Sequence, residues 1–98
     1  MNAESFAIQV LRELTEHNDL AQFLTMRARG KTAVLGYEID DDWVPLFRFA
    51  NGSAAFNVAD LQIRHRETWK PTLVRGVPAV LAEALAGPLR PFWELHAP

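Results

Sequence analysis

The sequence predicts an α+β domain with helices packed on one face of an antiparallel sheet. Three observations carry this. Apolar residues recur at three- and four-residue spacing over the first thirty positions, the period becomes two from Lys31 onward, and helical spacing returns after Pro78. The expected order is ααβββ(β)α in a single domain, residues 1–98: an N-terminal helical hairpin, a sheet of three or four strands, and a C-terminal helix.

The first helix is expected to bury Ala3, Phe6, Ala7, Val10, Leu11 and Leu14 on one stripe, with Gln9, Arg12, Glu13 and Glu16 opposite. Asn2 suits its N-cap, and Glu4 complements the positive end of the helix dipole. His17-Asn18-Asp19 breaks the pattern. A second helix is then expected, with Asp19 and Gln22 as a capping-box variant and Leu20, Phe23, Leu24 and Ala28 facing the core. Arg27 and Arg29 fall in its last turn, and Gly30 is placed to end it in the left-handed region.

From Lys31, Ala33, Leu35, Tyr37 and Ile39 alternate with Thr32, Val34, Gly36 and Glu38, the pattern of a half-buried strand. Asp40-Asp41-Asp42 reads as a turn, and Trp43 to Phe49 as a second strand. Pro45 has no N–H to donate, which argues for an edge position or a bulge. Asn51-Gly52 is a hairpin dipeptide because both residues accept positive φ. Residues 53–63 fit either a strand, with Ala55, Asn57, Ala59, Leu61 and Ile63 on one face, or a helix capped by Ser53; the Asn-Gly turn favours the strand. Trp69 to Val74 reads as a short fourth strand. Pro78 suits a first helical position, Val80, Leu81, Ala84 and Leu85 form a stripe, and Gly87-Pro88 ends it. One more turn is expected after Pro91.

Composition narrows the function classes. Hydrophobic residues at 49% and charged residues at 22% match a folded domain rather than a disordered chain. With no cysteine there is no disulfide framework, thiol catalysis or thiolate metal site. No apolar run reaches the length of a membrane helix and no secretory leader is read at the N-terminus, so the expected setting is cytoplasmic, with no membrane partner. Eight arginines against two lysines suggest a GC-rich bacterial genome.

Motifs for catalysis or metal binding are absent from the sequence. Gly30-Lys31-Thr32 resembles the end of a phosphate-binding loop, but Thr25 stands where glycine is required and the strand and helix are in the wrong order. Asp40-Asp41-Asp42 lacks the spaced ligands of a calcium loop. His17, His65 and His96 share no face, and His65 with Glu67 supplies only two ligands. Ser53 lies outside any strained nucleophile elbow. No cofactor, metal or catalytic residue is therefore assigned, and the chain is read as no enzyme.

Charge and aromatic content give more. Residues 1–42 carry eight acids and four bases, and residues 43–98 four acids and six bases. Arg64, Arg66, Lys70 and Arg75 cluster around Trp69 in the sequence and form a candidate anion-binding segment. Trp43, Phe47, Phe92 and Trp93 are candidate interface residues, on the expectation that some of the aromatic surplus is exposed. The leading function is a non-catalytic interaction domain that binds a protein partner or its own copy as a homodimer. The alternatives are a nucleic-acid-associated regulatory protein using residues 64–75, and a small-molecule-binding domain with an aromatic-lined pocket.

Overall fold

The computed structural model describes all of residues 1–98. Helix α1 (Ala3–His17) is capped by Asn2, whose side chain accepts a hydrogen bond from the Ser5 N–H at 2.8 Å. A 3-10 turn (Asp19–Phe23) follows, then five strands: β1 (Thr25–Arg29), β2 (Thr32–Ile39), β3 (Asp42–Ala50), β4 (Ala59–His65) and β5 (Thr68–Gly76). Helices α2 (Pro78–Ala86) and α3 (Pro91–Glu94) close the chain. The strands form one antiparallel meander in the order β1-β2-β3-β4-β5.

The α+β class stands, and the N-terminal helical hairpin is corrected. Of the expected second helix only Asp19–Phe23 is helical, capped by Asn18 through the Leu20 N–H at 2.9 Å, and Thr25–Arg29 is a strand. The segment after Leu24 carries two periods at once, and an isolated ten-residue helix is marginal. Pairing with β2 decides between them. Gly30 adopts positive φ, as expected, but at the first central position of the two-residue turn between Arg29 and Thr32, where hairpins of the II′ type favour glycine. The sheet therefore has five strands rather than three or four.

Three further expectations are refined. Asp40 and Asp41, with φ of 51° and 68°, form the tight turn between β2 and β3. Asn51-Gly52 instead opens a longer loop over residues 51–58, and β4 begins only at Ala59. That loop plugs the core with Phe56, whose ring meets Phe6 edge-on at 5.6 Å. Pro45 lies in the central strand but in the part that pairs with β2 alone, so it has both a locally free edge and a bulge beside it. Leu35 faces Phe47 while Gly36 faces Pro45, leaving Leu46 as the extra residue.

The core lies between the sheet and the helices. Phe6 of α1 meets Phe49 at 5.5 Å, and Trp93 of α3 meets Phe47 at 6.4 Å, both edge-on. In α2 the buried stripe is Pro78, Leu81, Ala82 and Leu85, so Val80, expected inside, stays exposed. No helix is long and apolar enough to cross a membrane.

Tyr37, the only tyrosine, is fully buried, and its hydroxyl points to the Leu20 carbonyl at 3.5 Å. Burial first, then the nearby Glu94 carboxylate, pushes its pKa up to about 12. The phenol of the unfolded chain ionises near pH 10, so the folded state is favoured fully below that value and loses ground as pH rises towards 12. Chemical denaturation at a series of alkaline pH values should show stability falling across this window. Tyr37→Phe should flatten the fall.

Candidate functional site

Strand alternation puts one row of side chains on the face that no helix covers. With the register fixed, Arg27, Val34, Arg48, Gln62 and Pro71 line up across β1 to β5. Neighbouring rows add Thr25, Gly36 and Pro45, the pair Glu38 and Trp43, and the pair Arg64 and Trp69. Five arginines (Arg27, Arg29, Arg48, Arg64 and Arg75) lie on this face, against Glu38 and Asp60. The remaining ten of the chain's twelve acids lie elsewhere, so an acidic chain presents one basic face.

The two indoles organise it. The Arg27 guanidinium lies 4.2 Å above the Trp43 ring, and the Trp43 Nε1 donates to the Thr25 hydroxyl at 2.8 Å. Gly36 stands in the row between Thr25 and Pro45 and puts no side chain in the way. Trp69 carries two guanidiniums, Arg48 at 4.7 Å and Arg64 at 5.2 Å. Arg48 Nε donates to Gln62 Oε1 at 2.6 Å, and Arg64 Nε donates to the Arg66 carbonyl at 3.0 Å. Neither arginine has a carboxylate partner, because the ion pairs of the chain are Arg75–Asp60 and Arg90–Glu94. Burial, then the positive charge of Arg64, lowers the pKa of Arg48. Two like charges thus share one indole without a counterion.

The five residues of the 64–75 segment separate in space. Arg64 and Trp69 meet. Lys70 pairs with Ile63 of the core face, so its side chain leaves the sheet on the opposite side from Trp69. Arg75 is held at Asp60 by a 2.9 Å ion pair and donates to the Asn51 carbonyl at 2.7 Å. Hydrogen bonds from Arg75 and Asn51 hold the Asp60 carboxyl below its ordinary value. Arg66 occupies the turn between β4 and β5, at φ 58°. Of the four aromatic interface candidates, Phe47 and Trp93 are core residues and are closed to any partner of the folded chain. Trp43 lies half-buried on the uncovered face and Phe92 is exposed on α3.

Arg27 and Arg48 escaped the sequence reading. Arg48 alternates with Phe47 and Phe49, which is a legible sign that it faces away from the core. Its position opposite Gln62 and beside Trp69 depends on register across a bulge, and no local pattern encodes that. Arg27 falls in the segment whose spacing predicts a helix, and pairing with β2 makes it a strand residue instead. Comparison with known families, with curated proteins and with solved structures gives no match.

Proposed function

We propose that this chain is a non-catalytic interaction domain whose uncovered sheet face binds an acidic segment of a partner protein. The observation that carries the reading is the Arg48–Trp69–Arg64 stack, two guanidiniums held in place with no carboxylate to answer them. Arginine and tryptophan are the side chains that concentrate binding energy at protein interfaces, and a guanidinium held by stacking keeps its fork of donors oriented for a carboxylate. Two features weigh against a single-stranded nucleic acid. Guanidiniums already lie over the Trp43 and Trp69 rings, where a base would stack, and outside this face the chain carries ten acids against five bases. A two-fold homodimer through this face would set its arginines against one another, and like charges oppose that pairing.

Titration with polyglutamate and with single-stranded oligo(dT) of equal length, followed by calorimetry at low and physiological salt, tests the reading. Polyglutamate is expected to bind more tightly. The double variant Arg48→Gln/Arg64→Gln should weaken it by about a hundredfold or more, since each of the two charge-assisted bonds contributes about 1.5–3 kcal/mol. The charge-matched variant Arg12→Gln/Lys31→Gln should change it far less. Tighter binding of oligo(dT), or equal losses in the two double variants, would overturn the reading.

A further inference from the structure

The sheet parts at one end. Strands β3 and β4 pair from Ala50↔Asp60 to Phe47↔Ile63 and no further. Beyond that point Asp42–Leu46 is held by β2 alone, and Arg64 and His65 by β5 alone. The extra residue at Leu46 and the ring of Pro45, which cannot donate a ladder hydrogen bond, account for the parting. Helix α3 and the residues after it lie across the gap, anchored by the buried Trp93. The result is a cleft of about 280 Å³.

Its lining divides into two chemistries. Val44, Pro45 and Phe92 supply an apolar wall, and Arg64, Arg66 and His96 supply two guanidiniums and an imidazole. No carboxylate lines the cleft, and neither arginine forms an ion pair elsewhere in the chain. The hydrogen bond from Arg64 Nε to the Arg66 carbonyl fixes the Arg64 guanidinium against the main chain of the turn that carries Arg66. Phe92 keeps 52% of its surface exposed although the other aromatic side chain of its helix is fully buried. The volume lies just below the range of ordinary ligand pockets, which suits one ring.

We infer that this cleft is a binding site for a small organic anion, a single aromatic ring bearing a carboxylate or a phosphate. The ring lies against Phe92, Val44 and Pro45, and the anionic head meets Arg66 and Arg64 with His96 beside them. The site is independent of the partner surface proposed above except that Arg64 and Pro45 border both. Arg66 and Phe92 belong to the cleft alone and therefore carry the test.

Chemical-shift titration of the 98-residue protein with phenylacetate, phenyl phosphate, benzyl alcohol and inorganic phosphate decides it. At least one of the two aromatic anions should bind with a Kd of about 0.1–1 mM, shifting resonances of Phe92, His96 and Arg66. Whichever of the two binds more tightly identifies the head group. Benzyl alcohol and inorganic phosphate should each bind at least about tenfold more weakly, because each lacks half of the complement. Arg66→Asn removes the charge while tolerating the left-handed backbone, and should weaken the aromatic anion about tenfold. Phe92→Ala should weaken it several-fold, and Arg12→Gln, a charge-matched change on α1, should leave it unaltered. Polyglutamate binding should be nearly unchanged in Phe92→Ala, which separates this site from the sheet face. Failure of both aromatic anions to bind, equal binding of benzyl alcohol, or unaltered affinity in both Arg66→Asn and Phe92→Ala would overturn the assignment.

Discussion

Trp93→Ala is expected to lower the stability of the fold by about 4 kcal/mol, within the range for truncating a buried large aromatic residue. The indole has no solvent exposure, its Nε1 donates to the Leu85 carbonyl at 2.9 Å, and its ring meets Phe47 edge-on. Three losses therefore coincide: apolar burial, an aromatic contact, and a buried carbonyl left without its donor. The indole also joins α3 to both α2 and β3, so the last turn should detach before the rest of the chain unfolds. A domain of this size has about 5–10 kcal/mol to lose, and the melting temperature should fall by roughly 20 °C. Denaturant unfolding monitored by far-ultraviolet circular dichroism measures the loss. Trp69→Ala is the comparison. Trp69 is half-buried on the uncovered face, so its removal should cost about 1 kcal/mol while abolishing the platform for Arg48 and Arg64. Comparable losses for the two variants would contradict the division of the tryptophans between core and surface.

Gly36→Ala is expected to cost about 2–3 kcal/mol although it adds only a methyl group. A Cβ at this position would fall on the carbonyl oxygen of Val44, and it would also approach the Val44 carbonyl carbon at 2.9 Å and Pro45 Cα at 3.0 Å. All three are backbone atoms of the neighbouring strand, so no side chain can swing aside. The β2–β3 ladder has to open at the bulge, at the cost usual for overpacking. The loss is reduced by roughly 0.4–1 kcal/mol because alanine restricts the unfolded chain. Gly30→Ala separates close approach from backbone conformation. Nothing lies within 4 Å of its Cβ position, and its φ of 59° is the only obstacle, so its cost should be about 1 kcal/mol. Equilibrium unfolding of the two variants side by side tests the difference, and a smaller loss for Gly36→Ala than for Gly30→Ala would refute the close-approach account. The same bulge separates β3 from β4 at the cleft. Gly36→Ala should therefore also weaken any ligand held there.

The chain specified its local structure well wherever one period dominated. Helix α1, its Asn2 cap, the Asp40-Asp41 turn, the proline start of α2 and the turn after Pro91 were all legible in order, because each rests on side chains close in sequence. The sequence also excluded thiol chemistry and disulfides, since the chain has no cysteine. Long-range pairing decided the rest. Residues 25–29 carried helical and strand periods together, and the free edge of β2 settled the conflict by taking Thr25–Arg29 as a fifth strand. The same pairing turned Gly30 from a helix end into a hairpin turn. The surplus of aromatic residues could not be divided between core and surface from composition, because Trp69 and Trp93 differ only in which elements they meet. The basic face was spread over strands far apart in sequence, from Arg27 to Arg64, and became one surface only when the register was fixed across two bulges. Local sequence sets periodicity and caps through interactions a few residues apart, whereas a sheet face is assembled from contacts whose sequence separation no local pattern records.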